Sequence, residues 1–284
     1  MGRSGATMSG MITDPFVALA VRPGGALALL IRAEGGFPRR PGAVMALWPD
    51  GSRIGRLGAG CIDADIAAHL EGPDPVKRLI YGVGGPVDLP LPCGGTVEIA
   101  LIRNLDRDWL NDVMNDRRVR TTGQWTVDLT TGRAARDPSG RHGLRDSGFH
   151  LTLPPPCAVH IHGNGDEAEA LAGMLRGLGL DCHLGAQAVP VDQHTAVVTL
   201  FHDHDRELAP LKAALQSAAF YVGALGSRRA QLARLAALRE AGLTEAQLVR
   251  LRGPIGVVAP VREPKLLAAS VLTEILAAYE QEFG

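Results

Sequence analysis

The sequence lacks the features that mark several large classes of protein. Aromatic residues make up only 4% of the chain, and its four cysteines form no CxxC pair. Cysteines spaced this way predict neither a disulfide framework nor a zinc ribbon, and they suit a reducing compartment. The first residues contain no signal-peptide core, and every apolar stretch is interrupted before it reaches membrane-spanning length. We therefore expect a cytoplasmic protein that makes no contact with a membrane.

The sequence also has no excess of charge of either sign. It contains 29 Lys and Arg residues against 30 Asp and Glu residues, for a formal net charge of −1 at pH 7. Proteins that bind polyanions usually present a basic surface. We therefore expect no nucleic-acid partner.

The length and apolar content of the chain predict two folded domains. Its 284 residues are 46% hydrophobic, which is enough to build more than one compact core. A polar, glycine-rich stretch at 137–148 and three consecutive prolines at 154–156 are typical of a linker. We place the domains at 14–150 and 151–284.

The order of apolar runs predicts an α/β fold in both halves. Residues 26–32, 43–48 and 96–102 are strand-like, Pro49 to Gly51 is a hairpin signal, and a short helix should follow Cys61. This predicts a mixed α/β N-terminal domain. Strands and helices then alternate regularly after residue 157, which predicts a Rossmann-like, doubly wound parallel sheet.

The turn around Gly163 and Gly165 is the most recognisable local motif. It has the pattern G-x-G-x-x-A between a strand and a helix, where backbone N–H groups can hold a phosphate. A dinucleotide site usually also needs an acid about 20 residues further on, and Leu184 to Ala186 provides none. Asp166 and Glu167 would also repel a pyrophosphate. These features argue against NAD(P) binding as the use of this scaffold.

Two other segments of the second half could contact an anion or a polar heterocycle. Arg228 and Arg229 should lie in the first turn of a helix, where a bound oxyanion would compensate their opposition to the helix dipole. His202 and Asp203 follow a buried strand, at the edge of the sheet where open α/β folds bind ligands. The alternatives are solvated arginines and a simple helix cap. Nothing fixes a metal-ligand geometry for these histidines, so we predict no metal site.

The first half contributes a basic loop and two cysteine-bearing turns. Arg39 and Arg40 lie between prolines in a stiff loop that suits an anionic ligand, although a solvated loop is an equal alternative. Cys61 opens a helix, whose N-terminus favours the thiolate, and Cys93 lies in a second glycine-rich turn. Sulfur chemistry is therefore possible at both cysteines, and the alternative is inert cysteines that fill tight corners.

Several segments, taken in order, resemble the XdhC/CoxI family: EGGFPRRPGAVM, GAGCIDADI, LPCGGTVEI, FYVGALGSRRAQ and RGPIG. The resemblance implies an XdhC/CoxI domain, a Rossmann-like C-terminal domain and a homodimer. It implies a cofactor chaperone more than a turnover enzyme. Such a chaperone holds molybdopterin, or its dinucleotide form, while a cysteine desulfurase supports its sulfuration, and then inserts it into xanthine dehydrogenase or a related molybdenum hydroxylase.

The resemblance assigns its ligand-binding motifs to positions in both halves. The matching residues are Arg39, Arg40, Gly60, Cys61, Asp63, Cys93, Gly94, Gly95, Gly223, Gly226, Ser227, Arg228 and Arg229. To these we add Gly163, Gly165, His202 and Asp203 as candidate cofactor contacts, with Cys61 and Cys93 as the candidates for sulfur handling.

The sequence departs from the family pattern in three places. Ala59 stands where a second glycine is expected, Asp63 replaces the usual Glu, and residues 254–261 lack the expected acid. Two other functions therefore remain open at this point. One is an NAD(P)-binding oxidoreductase, and the other is a non-catalytic assembly adaptor without a bound cofactor.

Overall fold

The computed structural model describes residues 14–58, 60–82, 94–146, 148–185, 189–201, 206–258 and 261–283. The chain divides between Leu153 and Pro154 into two compact units. Among the described residues, no helix combines the length and apolar character needed to cross a membrane.

The first unit is built on a five-stranded antiparallel sheet in the order β3-β2-β1-β5-β4. The central strand β1 is also the longest of these strands, and the hairpin predicted at Pro49 to Gly51 joins β2 to β3. The elements are α1 (Pro15–Val21), β1 (Ala26–Glu34), β2 (Val44–Leu47), β3 (Arg53–Ile54), α2 (Gly60–Ala68), β4 (Val76–Gly82) and β5 (Thr96–Ile102).

A second antiparallel sheet, in the order β7-β6-β9-β8, completes the first unit. Our interpretation of residues 137–148 as part of a linker is wrong, because this stretch contains β8 and the start of β9. Leu144 of this stretch packs against the unit's core, which holds β8 in place. The elements are α3 (Arg107–Val119), β6 (Gly123–Asp128), β7 (Ala134–Arg136), β8 (Gly143–Leu144) and β9 (Gly148–Leu153).

Both faces of the five-stranded sheet are covered. Alternate residues of β1, such as Leu29, point to one face and pack with Trp109 of α3 and Phe149 of β9. The intervening residues, such as Leu30, point to the other face and pack with Ile62 of α2. Helix α2 is thereby fixed on the sheet by its apolar side.

The second unit is a five-stranded parallel sheet in the order β11-β10-β12-β13-β14. Helices α4 and α8 cover one face, and α5 and α6 cover the other, which confirms the doubly wound arrangement. The elements are β10 (Ala158–Gly163), α4 (Asp166–Gly177), β11 (Asp181–Leu184), β12 (Thr195–Leu200), α5 (Leu208–Leu215), β13 (Tyr221–Ala224), α6 (Arg228–Glu240), α7 (Glu245–Leu248), β14 (Leu251–Arg252) and α8 (Pro264–Phe283).

The strand order places a topological switch point between β10 and β12. From this point the chain adds β11 on the outer side of β10, and it adds β13 and β14 on the outer side of β12. The connection after β10 and the connection after β12 therefore cross opposite faces of the sheet. Open α/β sheets bind ligands at the carboxyl ends of the strands beside such a switch point. Gly163 and Leu200 are paired at this edge.

A buried ion pair joins the loops at this edge to α6. The Arg234 Nε and Nη2 atoms donate to Glu207 at 2.8 and 3.0 Å, and both side chains are only 1% exposed. Arg234 also donates to the Leu225 carbonyl at 2.7 Å and to Gln231 Oε1 at 2.6 Å. The pair therefore connects the start of α5, the end of β13 and α6.

We expect Glu207→Gln to destabilise the second unit by about 3 kcal/mol, because it leaves the Arg234 guanidinium buried without its counter-charge. All three tryptophans, Trp48, Trp109 and Trp125, lie in the first unit. In urea unfolding, the far-UV circular dichroism midpoint should therefore fall while the tryptophan-fluorescence midpoint stays in place. Glu240→Gln, at an exposed position of α6, is the control and should shift neither midpoint.

Candidate functional site

Three strand ends of the first unit meet at one edge of its sheet. Glu34, Thr96 and Gly82 lie side by side in the register of β1, β5 and β4. The loop that carries Arg39 and Arg40 leaves β1 at this edge. Gly94 and Gly95 enter β5 at the same edge, so the basic loop and this glycine pair, which are distant in sequence, are neighbours at their bases.

Gly95 is packed directly against the backbone of β1. A Cβ atom built on Gly95 would lie 1.9 Å from the Glu34 carbonyl oxygen, which no side chain tolerates. The carbonyl oxygen of Gly95 in turn occupies the space of a Cβ on Gly82. The glycine therefore permits a backbone contact, whereas Gly94 beside it is exposed.

Helix α2 runs along the sheet with its N-terminus directed to this same edge. The Tyr81 hydroxyl, next to the end of β4, donates to Asp65 Oδ2 at 2.8 Å. At the opposite end of the sheet, Arg103 donates to the His69 carbonyl, just beyond the last turn of α2, at 2.9 Å. These two contacts fix the helix direction. Cys61, in the first turn, is exposed at the N-terminal end.

The Tyr81 phenol stays protonated as it holds α2. Burial and the neighbouring Asp65 carboxylate both raise the pKa of Tyr81 above its ordinary value, since each disfavours the phenolate. Tyr81 is therefore a permanent donor to Asp65.

Asp63 differs from the neighbouring candidates Gly60 and Cys61, which are exposed, because its side chain is fully buried. Its Oδ1 atom accepts hydrogen bonds from the backbone N–H groups of Leu57 and Gly58, at 3.3 and 3.0 Å. Its Oδ2 atom is also buried and has no hydrogen-bond partner within the described part of the chain. Asp63 thus stabilises the turn that leads into α2.

The side chains of Arg39 and Arg40 are exposed. Phe37 of the same loop packs against the cluster that contains Ile62 of α2, so this loop and α2 share one apolar base. The structure therefore gathers Arg39, Arg40, Gly60, Cys61, Gly94 and Gly95 at one end of the sheet. Cys93 lies outside the described residues.

The second unit distributes its candidates over the carboxyl edge of the parallel sheet. Gly163 ends β10, and Gly165 is the N-cap of α4, which has no side-chain cap. Asp166 is exposed and Glu167 is buried. His202 and Asp203 lie outside the described residues, after β12.

The segment that carries Arg228 and Arg229 lies beyond β12, at the end of β13. Gly223 is buried within that strand, and Ser227 caps α6 by accepting from the Ala230 N–H at 3.2 Å. Gly226, Arg228 and Arg229 are exposed. Because β12 separates β10 from β13, this motif and the Gly163 turn are not adjacent.

The histidines of the parallel sheet do not form a metal site within the described residues, where no cluster of three or more His, Cys, Asp or Glu side chains could hold an ion. His160 stacks edge-on against His183, with ring centroids 5.0 Å apart. Burial lowers the pKa of His162 below its ordinary value, because the charged form is poorly solvated there.

The sequence did not point to Glu274, whose carboxylate contacts Gly256 in the segment that lacks the expected acid. Its Oε2 atom accepts from the Gly256 N–H at 2.5 Å, and its Oε1 atom accepts from the Tyr221 hydroxyl at 2.9 Å. Glu274 lies on α8, and no local pattern indicates that this helix passes the Gly256 turn.

Comparison with known proteins identifies the family. A family model described as "XdhC and CoxI family" matches residues 18–72, and one described as "XdhC Rossmann domain" matches residues 159–275. The chain is 32% identical to the molybdenum cofactor insertion chaperone PaoD of Escherichia coli K12, over 91% of this chain and 84% of PaoD. The chain belongs to the XdhC/CoxI family.

Two further proteins are similar to this XdhC/CoxI chain, one in sequence and one in fold. It is 25% identical to the uncharacterized protein YqeB of Escherichia coli K12, over 88% of this chain but only 43% of YqeB. Its fold matches the crystal structure of a xanthine dehydrogenase from Bacillus halodurans with a TM-score of 0.75. That match has 18% identity and covers 94% of this chain and 95% of the other, and it supports the fold alone.

We expect Cys61 to react with N-ethylmaleimide under native conditions far faster than Cys157, because Cys61 is exposed and Cys157 is buried. Cys182 should react slowly, since burial raises the pKa of its thiol. Peptide mass spectrometry after timed quenching would measure the order. Equal rates for Cys61 and Cys157 would contradict the placement of α2.

We expect Gly95→Ala to destabilise the first unit by about 2 kcal/mol or more, because the added methyl group meets the Glu34 carbonyl. Gly60→Ala is the matched control, since a Cβ at Gly60 meets no atom within 4 Å. Urea unfolding followed by tryptophan fluorescence isolates the first unit. A Gly95→Ala midpoint as high as that of Gly60→Ala would rule out the close contact.

Proposed function

We propose that this protein binds molybdenum cofactor as cargo and inserts it into a molybdenum hydroxylase. The observation that carries the proposal is the 32% identity to a molybdenum cofactor insertion chaperone, which extends over nearly the whole of this chain. An identity that spans both units supports a shared role better than a match of the Rossmann-like unit alone, because that fold serves many functions.

The chemistry at the sheet edge of the first unit fits this cargo. Molybdopterin carries a phosphate, and guanidinium groups such as those of Arg39 and Arg40 bind phosphate through paired, charge-assisted hydrogen bonds. The exposed backbone at Gly94 and the exposed thiol of Cys61 lie at the same end of the sheet. We propose that these groups contact the pterin or metal end of the cargo.

We further propose that the cargo is held through its organic part. No His, Cys, Asp or Glu cluster of the described residues could serve as a ligand set for the metal.

Sulfuration, the target and the assembly state belong to the same proposal. An exposed Cys61 at a helix N-terminus could take part in sulfur transfer from a cysteine desulfurase. A xanthine dehydrogenase or a related hydroxylase in its apo form is the proposed recipient, and a homodimer is the proposed assembly.

The decisive experiment is anaerobic purification from a host supplied with molybdate, followed by metal analysis and fluorescence of the oxidised pterin. We expect molybdenum and pterin to co-elute with the protein in equal amounts, and to pass to an apo-hydroxylase with gain of its activity. A protein that carries neither component, even after cofactor is added, would contradict the proposal and favour an adaptor.

We expect the double substitution Arg39→Ala and Arg40→Ala to weaken retention of the pterin at least tenfold, because each lost guanidinium removes a charge-assisted contact of about 1.5–3 kcal/mol. Pterin fluorescence after gel filtration measures retention. Arg118→Ala, at an exposed site on α3, is the control. Unchanged retention in the double variant would exclude these arginines as phosphate contacts.

A further inference from the structure

A pocket of the first unit lies beside the basic loop, and neither Arg39 nor Arg40 lines it. Its volume is about 480 Å³, within the range of small-ligand sites. It opens on the face of the five-stranded sheet opposite α2, between the end of β1 and the turn around β8. Six of the residues that line it are Ile31, Arg32, Pro41, Leu144, Arg145 and Asp146.

The β1 wall of this pocket has an excess of positive charge. The buried Glu98 carboxylate accepts a hydrogen bond from Arg78 Nε at 2.6 Å. Arg32 Nε lies 4.0 Å from the same carboxylate, and its side chain is 54% exposed. One carboxylate thus faces two guanidinium groups, and the distance from Arg32 to Glu98 is at the upper limit for an ion pair. Arg32 can therefore turn to an anion in the pocket.

The opposite wall adds a second arginine. The Arg145 side chain is exposed, and its Nη2 atom donates to the Arg141 carbonyl at 3.3 Å. Asp146 beside it is the only acid that lines the pocket among the described residues. Half-buried Pro41 and Leu144, which both line the pocket, provide apolar surface beside the two arginines.

A histidine joins the two walls. The Thr152 N–H donates to His142 Nδ1 at 3.1 Å, so the ring proton is on Nε2, which donates to the Pro41 carbonyl at 2.9 Å. Gly42 packs onto this ring: its φ of +95° and a Cβ position 2.4 Å from His142 Cε1 both require glycine. The loop after β1 is thus attached to the β8 segment, and the pocket is formed before any ligand arrives.

We propose that this pocket binds a phosphate-bearing ligand of the nucleotide class. Arg32 and Arg145 hold the phosphate from opposite walls, and the apolar surface of Pro41 and Leu144 receives the planar base. This deepens the proposed function, on which it rests in part, because a dinucleotide form of the cargo carries such a group. A free nucleotide offers the same chemistry, and the experiment separates the two sources.

The test is isothermal titration of the purified full chain with CMP, GMP and inorganic phosphate. We expect saturable binding of at least one nucleotide, weakened about tenfold or more by Arg32→Gln and by Arg145→Gln. Arg32→Lys, which keeps the charge, should restore part of the affinity. Arg118→Gln should match the unsubstituted protein, and circular dichroism checks that each variant is folded.

The inference is overturned if neither nucleotide binds at millimolar concentration, or if both substitutions leave the dissociation constant unchanged. Repeating the titration on pterin-loaded protein distinguishes the sources. Loss of nucleotide binding after loading indicates the nucleotide of the cargo itself, and retained binding indicates a free nucleotide.

The same samples separate this inference from the proposed function. A protein that retains pterin but binds no nucleotide keeps its function as a carrier and loses this pocket as a site. A protein that binds nucleotide through Arg32 but retains no pterin would keep this pocket as a site and lose its proposed function as a carrier.

Discussion

The contact between Gly95 and the Glu34 carbonyl is the constraint on which the candidate site depends. It places the start of β5 against the end of β1 with no room for a methyl group between them. The basic loop that leaves β1 and the glycine pair that enters β5 are therefore neighbours. Helix α2 reaches the same edge because Tyr81 and Arg103 hold it at two different levels of the sheet. The site thus depends on backbone packing as much as on the side chains that would touch a ligand.

Local signals predicted most of the secondary structure. The placement of Arg228 and Arg229 in the first turn of a helix and the hairpin after Pro49 depend on residues within a few positions of each other, and both are present. The same kind of reasoning failed for β8 and β9, because their polar, glycine-rich sequence resembles a linker. These strands are ordered through pairing with each other and with β6, which a local pattern does not reveal.

The site was less predictable than the fold because its geometry comes from contacts distant in sequence. The sequence indicated that Asp63 and Cys61 belong to one motif. It did not indicate that Asp63 is buried beneath the turn while Cys61 is exposed. Glu274 was missed for the same reason, because it reaches Gly256 and Tyr221 through the path of α8. The resemblance of whole segments to a family was therefore a stronger guide to function than any single motif.

The position of α8 has a consequence for how the second unit comes to fold. This helix follows all the strands in sequence, yet Ala268, Val271 and Ile275 pack in the same cluster as Val159 and Ile161 of the central strand β10. During synthesis this face of the first strand is covered only by α4, which follows it directly, until nearly the whole unit has left the ribosome. The residues of both core clusters of the first unit precede Pro154. Its core can close while the parallel sheet is still incomplete, so the nascent second unit is the part of the chain most exposed to aggregation.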